Sequence, residues 1–373
     1  MTYPDLVFEV INNKQVYHQL WQDNKLSFMQ SWAWGVFKSP TNDPVRLKCI
    51  YDKDISFVFT IFIKKLPIFS EKYGYIPKFA SDQIIQQLNT DFYQKLGHLT
   101  RNDLNLKFLL YEPNASYGHY GSAFQSMHRQ AQSIQPNETD IILLNGTDSE
   151  MLERMDKGTR YEIRKAIKND CRVFPVGWTG NIGEDKKTVK RFFSVMQSIY
   201  DRTNYVMYGE DYFLQAFNTM GFDKLCRIFF VQMGGQDVGA MMHYMDVDTV
   251  YEVYGGANHL GRKLSANYLL KWEAMKYSRD EGFLKFDQWG VAPQVIDVNS
   301  NRRHFKRDHP LYTISKFKSG FGGQYTEYIG QWAYIIHPLW FRLYRTAIWL
   351  NGAYIKLYSR LRKALIRLRR LHN

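Results

Sequence analysis

The stretch LCRIFFVQM-GGQD-VGAMMHYM, Leu225 to Met245, decides the fold. Two apolar, strand-forming runs flank a glycine pair, which is the signal of a β-hairpin. Downstream, VYEVYGGAN (250–258) predicts a third strand. SANYLLKWEAMKYSRDEG (265–282) predicts an amphipathic helix ended by Gly282, and LKFDQWGV (284–291) another strand. Upstream, Thr147 and Glu150 make a T-x-x-E capping box that opens the helix of MLERMDKGTRYEIRKAIK. Further helices are expected near 186–203 and over EDYFLQAFNTM, which Gly221 stops.

The first half carries the same theme. Residues 12–38 read as helical and end in QSWAWGVFK. VRLKCIY and ISFVFTIFI read as paired strands, SDQIIQQLNTDFYQKLGHL as helical, and LKFLLYEP and DIILLNG as strands. The expected architecture is therefore a mixed α/β fold with units at 1–147 and 148–330 and a final segment at 331–373. No Glu/Lys-rich coiled-coil arm interrupts the second half.

The chain has 373 residues, is 45% hydrophobic and 16% aromatic, which is ample for a buried core and excludes a disordered class. A formal charge of +13 favours an anionic partner: nucleic acid, acidic lipid or a phosphorylated substrate. Cys49, Cys171 and Cys226 are far apart and form no CxxC pair, and no HExxH is present, so neither a disulfide framework nor a metal site is expected. A reducing cytoplasm fits this usage. MTYPDLVFEVINNK carries acids and does not read as a secretory signal, and ISFVFTIFI is too short to span a bilayer.

From Pro338 to Asn373 there are nine arginines and lysines and no acid. Leu343, Ala347, Leu350, Tyr354, Leu357 and Leu361 share one helical stripe, with Arg342, Arg345, Lys356 and Arg360 on another face. This basic amphipathic C-terminal helix reads either as a terminal helix docked on the body with solvated arginines, or as an attachment to an anionic membrane surface. The arginines exclude a membrane span.

Standard catalytic signatures are missing: there is no GxSxG, no Walker lysine loop and no GxGxxG after a first strand. HLGRKLSANYLL resembles the approach to an acyl-CoA pyrophosphate loop but lacks its glycine pattern. In ISKFKSGFGGQYTEYIG (314–330), Lys316 and Lys318 flank Phe317 just before a glycine turn. By composition, Lys318 is a solvated lysine at a helix C-terminus, favourable to the helix dipole. KGTRYEIRKAIK presents Lys157, Arg160, Arg164, Lys165 and Lys168, with Arg160, Arg164 and Lys168 four apart on one face.

Several segments together resemble one family. QSWAWGVFK, MDKGTRYEIRKAIKNDCRV, DRTNYVMYGEDYF, VYEVYGGAN, SANYLLKWEAMKYSRDEGFLKFDQWGV and ISKFKSGFGGQYTEYIG occur in the order and spacing of the Fem family of peptidoglycan bridge-forming aminoacyltransferases. The resemblance spans about residues 20 to 330. It implies two tandem acetyltransferase-like (GNAT-like) domains, the first completed by the C-terminal segment. Without a coiled-coil arm, the chain looks like the shorter, FemX-like members, with a monomer as the default.

The resemblance also implies a reaction. An amino acid (Gly, Ala or Ser) would pass from aminoacyl-tRNA to the stem-peptide amine of a peptidoglycan precursor, either lipid II or UDP-MurNAc-pentapeptide. Ester to amide is downhill, so no cofactor, ATP or metal is needed. Positioning and electrostatics carry such a step, so a missing triad is no objection.

Residue by residue, Lys318 matches the family's functional lysine after an aromatic, here Phe317, with the ring limiting water access. Lys38 matches a contact to the diphosphate of the precursor, and Arg202, in DRTNY, a second one. Tyr254, before Gly255 and Gly256, matches a stem-peptide contact. Glu112 is a weaker candidate for proton acceptor. Arg160, Arg164 and Lys168 form either a track for the tRNA acceptor arm or a solvated helix face. The expected location is the cytoplasm, at the inner face of the cell membrane if the basic tail docks there. Two other readings stay open: an acyl-CoA-dependent N-acyltransferase on the same architecture, and a non-catalytic RNA- or membrane-binding protein with degenerate domains.

Overall fold

Two mixed sheets exchange one strand each. The structure is a computed structural model that describes residues 6–51, 55–66, 69–116, 127–203, 208–296 and 303–350. In chain order the strands of the first half are β1 (Val7–Val10), β2 (Asp43–Tyr51), β3 (Ile55–Lys65), β4 (Lys72–Ser81), β5 (Phe108–Asn114), β6 (His128–Arg129) and β7 (Glu138–Leu143). The second half adds β8 (Arg172–Gly177), β9 (Cys226–Met233), β10 (Gln236–Met245), β11 (Thr249–Ala257), β12 (Lys285–Asp287), β13 (Gln294–Ile296), β14 (Arg303–Phe305), β15 (Gln324–Glu327) and β16 (Trp332–Ile335). One sheet has the order β1-β2-β3-β4-β5-β16-β6, the other β15-β7-β12-β11-β10-β9-β8, and β13-β14 form a separate ribbon.

The hairpin of the opening stretch is present. Gly234 and Gly235 both take positive φ, at 57° and 78°, and join Met233 to Gln236 in a two-residue turn. Only a residue tolerant of the left-handed region fits both central positions of such a turn. The capping box also forms: the Thr147 hydroxyl accepts from Glu150 N, and the Glu150 carboxylate accepts from Thr147 N. It opens a short helix, Asp148–Glu153, and the basic stretch forms its own helix, Lys157–Lys168.

Each sheet contains one parallel pair, β4 with β5 and β11 with β12, among otherwise antiparallel neighbours. Beyond each pair the outer strand is borrowed. The β7 strand pairs antiparallel with β12, Leu143 opposite Lys285, and β16 pairs antiparallel with β5, Trp332 opposite Tyr111. A division at residue 147 therefore cuts through this exchange, because β7 precedes it yet lies in the second sheet. Burial accounts for the need: six of the seven residues of β5 are buried, so its backbone groups require a partner on both sides.

Aromatic side chains join the halves. Phe28 packs on Tyr244 and Tyr251 with ring centroids 5.1 and 4.9 Å apart, and Trp34 meets the edge of Tyr244 at 5.7 Å. Such pairs add about 0.5–1.5 kcal/mol each beyond the area they bury. The three cysteines are free and buried. No coiled-coil arm occurs among the described residues, and no described helix is long and apolar enough to cross a membrane. The C-terminal helix is described over residues 338–350; the expected amphipathic stretch at 351–373 lies outside the described residues.

Candidate functional site

Lys318 lies on the helix Tyr312–Ser319, which turns Ser315 and Lys318 inward and Ile314 and Lys316 to solvent. Lys316 takes the outer face, over the ring of Tyr312. Lys318 is buried at 6% exposure, so it is not the solvated helix-end lysine that composition suggests. Its ammonium donates to the carbonyls of Gly290 and Trp289, at 2.9 and 3.3 Å. The third N–H has no acceptor among the described residues. Burial pushes its pKa down to about 8, while Glu252 opposes that shift.

The segment that grips Lys318 follows β12. Asp287 accepts from the Trp289 backbone N–H at 2.7 Å and from the Thr139 hydroxyl. Trp289 has a φ of 61°, an uncommon conformation for a bulky residue, and this bend sits between Asp287 and the two carbonyls that hold Lys318. Gln288 donates to the Lys318 carbonyl at 3.0 Å and accepts from Lys271 at 2.6 Å.

Phe317 does not shield this ammonium. Neighbours on a helix diverge by about 100°, and its ring turns to Tyr268, Phe321 and the ammonium of Lys271, 4.7 Å from its centroid. Lys271 is fully buried and ion-paired to Glu252 at 2.8 Å.

Lys38 ends the helix Trp32–Lys38 inside an aromatic cage. Its ammonium lies 4.4 to 4.7 Å from the centroids of Phe37, Trp34 and Tyr212 and donates to the Tyr212 hydroxyl at 2.9 Å. Tyr208 stacks on Tyr212 at 3.9 Å. Burial, with some repulsion from Lys64, pushes the Lys38 pKa down to about 7. The Tyr212 hydroxyl is also 3.5 Å from that of Tyr254, so Lys38 of the first half and Tyr254 of the second meet through one phenol. Trp34 is a wall of this cage and of the seam between the halves.

Arg202 is exposed near the end of the helix Ile182–Thr203, about one turn beyond Ile199, which covers Gly256 on β11. Burial and the neighbouring Arg262 lower its pKa. Gly255 lies against Met241 and Gly256 against Ile199, so these glycines admit protein side chains. Of the basic helix, Arg164 and Lys168 are exposed, whereas Arg160 donates to the carbonyls of Leu152, Glu153 and Met155 and closes the helix before it. Glu112 is buried with both oxygens engaged: one accepts from Tyr75, the other from the backbone of Ile134 and Gln135.

Two further lysines near this site, half-buried Lys64 and buried Lys78, carry no signal in the sequence. Lys64, over the ring of Tyr75, is drawn down in pKa by burial against the pull of Glu112. Lys78, with a φ of 42° within β4, sits 3.4 Å over the ring of Tyr328; burial lowers its pKa to about 8 against the pull of Glu112 and Asp287. Electrostatic coupling links Lys38 to Lys64, Lys64 and Lys78 to Glu112, and Lys78 and Lys318 to Asp287, a series of cations that runs from half-buried Lys38 and Lys64 to buried Lys78 and Lys318. Asp287 and Tyr328 also line an open cleft of about 1130 Å³ between the two halves. Such a row can hold an anion at its outer end and stabilise developing negative charge at Lys318. No cluster of side chains able to hold a metal occurs among the described residues.

The helix His259–Lys263 contains the loop-like stretch that resembles a pyrophosphate site. A Cβ on Gly261 would come within 2.2 Å of the Val238 carbonyl, so this glycine serves helix-on-sheet packing.

Residues 230–348 match the model of the FemAB family, whose members are transferases. No curated protein matches the chain. Among solved structures, FemX is similar at 14% identity, covering 90% of this chain and 99% of that one with a TM-score of 0.76. A conserved protein of unknown function from Bacteroides thetaiotaomicron is similar at 10% identity, covering 88% and 99% with a TM-score of 0.54. The C-terminal DUF2156 domain of a putative lysylphosphatidylglycerol synthetase from Agrobacterium fabrum follows at 9% identity, covering 90% and 96% with a TM-score of 0.51. At these identities the likenesses show a shared fold.

Proposed function

We propose that this chain, a Fem-family protein, is an aminoacyltransferase that moves glycine, alanine or serine from aminoacyl-tRNA to the stem-peptide amine of a peptidoglycan precursor. The observation that carries this reading is Lys318: a buried ammonium with two N–H groups spent on carbonyls and one unspent. The acceptor amine attacks the ester carbonyl, and a C–N bond forms. The tetrahedral oxyanion then collapses, the C–O bond to the ribose breaks, and the amine's proton is balanced by protonation of the departing ribose oxygen. The unspent N–H of Lys318 stabilises the oxyanion or serves the leaving oxygen, and a pKa lowered to about 8 suits that second task.

The other candidates take supporting parts. Lys38 and Arg202 contact the precursor's diphosphate, and Lys64 extends this cationic run. Tyr254, tied to Lys38 through Tyr212, contacts the stem peptide. Phe317 holds Lys271 in place behind Lys318. Arg164 and Lys168 offer exposed charge to the tRNA acceptor arm, with Arg160 fixing the start of their helix. The protein works as a monomer in the cytoplasm.

The test is a transfer assay with tRNA separately charged with radiolabelled glycine, alanine or serine, and with lipid-linked and nucleotide-linked muramyl-pentapeptide. Label entering one acceptor, and lost in Lys318→Ala, supports the reading; no label in any combination overturns it.

A further inference from the structure

The helix at residues 338–350 has two unlike faces. Its inner face closes a small aromatic cluster: Phe341 meets Phe108 at 5.2 Å, and Tyr344 meets Tyr73 and Phe108 at 5.0 Å. Its outer face carries Leu339, Leu343 and Leu350, with Arg342, Arg345 and Trp349 beside them, all exposed. Leu339 is 66% and Trp349 70% exposed. Phe69, also exposed, extends the apolar corner through its edge contact with Trp340 at 5.1 Å. A lone exposed leucine is ordinary; a helix that turns out leucine, tryptophan and arginine without an acid is not.

We propose that this outer face docks on an anionic lipid bilayer, lying in the headgroup region. Charge complementarity commits it to that occupant. From residue 338 onward the chain carries nine cations and no acid, continuing through Lys356, Arg360, Arg362 and Lys363 to Arg370. Leucines and a tryptophan interleaved with arginines match the depth profile of a membrane interface. An RNA surface would take up the arginines and leave the leucines in water.

The inner face ties this surface to the candidate site. Tyr344 packs in one buried cluster with Tyr73 and Tyr75, and Lys64 lies over the Tyr75 ring. Docking therefore holds the Lys64 end of the cation row one side-chain layer from the helix on the lipid. If the reaction proposed above is right, on which this consequence rests, the acceptor is the lipid-borne precursor.

The experiment is flotation of the full-length chain with phosphatidylcholine vesicles, with and without phosphatidylglycerol. The companions are Leu339→Glu/Leu343→Glu/Trp349→Glu and Arg342→Glu/Arg345→Glu, each checked for an unchanged melting temperature. Wild type should float with the anionic vesicles, and each variant should lose roughly tenfold or more in partitioning. Wild type that fails to float, or a triple variant that floats equally well, overturns the proposal. So does loss of self-association, or of tRNA binding, in the triple variant without any vesicle binding. Transfer is read in parallel: the triple variant should lose the lipid-linked acceptor and keep the nucleotide-linked one. Flotation without transfer to either acceptor by wild type would defeat the proposed reaction and leave the docking surface standing.

Discussion

The Lys38 ammonium donates to the Tyr212 hydroxyl at 2.9 Å across the seam between the halves, from a position 174 residues away in the chain. The cage around it is aromatic, and no carboxylate among the described residues pairs with it, so burial disfavours its charge and its pKa is about 7. A bound diphosphate reverses that preference, so binding should take up a proton above this pH. Affinity for a nucleotide diphosphate is expected to be flat below about pH 7 and to weaken roughly tenfold per unit above it. Calorimetry in buffers of different ionisation heat measures the proton uptake directly. Lys38→Met should bind weakly without pH dependence; a pH-independent wild type would remove Lys38 from the anion site.

The same group makes a statement about stability. Its folded pKa lies below the unfolded value of about 10.5, so the unfolded chain holds the extra proton between about pH 7 and 10.5. This contribution to stability rises with pH across that window. Urea unfolding of wild type and Lys38→Met at pH 7 and pH 9.5 should show the variant gaining more at the lower pH. An equal change at both values contradicts a half-buried lysine with a depressed pKa.

Lys318→Ala should lower kcat/KM by roughly 100-fold or more, the usual cost of removing one donor to a developing oxyanion. Lys318→Arg should not restore it, because the carbonyls of Trp289 and Gly290 grip a compact ammonium. The working form is protonated, so the wild-type rate should fall as pH rises through about 8. A rate limb that persists in Lys318→Ala belongs to another group.

Local rules made much of the fold readable. The glycine pair of the hairpin and the Thr147–Glu150 box each act within a few residues, and both formed as expected. The strand exchange did not show, because β7 and β16 look the same locally whichever sheet they complete. Lysines misled most. Lys64, Lys78 and Lys271 carry no local signal of burial; tertiary contacts with Tyr75, Tyr328 and Glu252 draw them in. Spacing places Arg160 on a charged face, yet its guanidinium reaches back to three carbonyls, a contact that spacing does not encode.

The Lys271–Glu252 pair gives a sharp test of the layer behind Lys318. Lys271→Met leaves Glu252 buried without its cation, which should cost about 3–5 kcal/mol. Lys271→Met/Glu252→Leu should recover most of that loss. Chemical denaturation of wild type, both single variants and the double variant closes the cycle. A neutral single variant, or a double variant as unstable as the sum of the two, would show that the two charges do not depend on each other.

The exchanged strand, paired with β5 and β6, also seats the ring of Tyr334 against a glycine. Gly97 lies in the helix Thr90–His98, and a Cβ there would sit 2.3 Å from Cζ of Tyr334 on β16. Gly97→Ala should therefore push the returning strand off its seat and cost about 1–3 kcal/mol, despite alanine's better helix propensity. Tyr334→Leu removes the ring and should cost less in the Gly97→Ala background than in wild type. Amide hydrogen exchange adds a local readout: in Gly97→Ala, Trp332–Ile335 and their partners on β5 should lose protection before β2 and β3 do. Unchanged protection of β16 in a destabilised Gly97→Ala would mean that the strand is held elsewhere and that the helix, not the exchange, bears the cost.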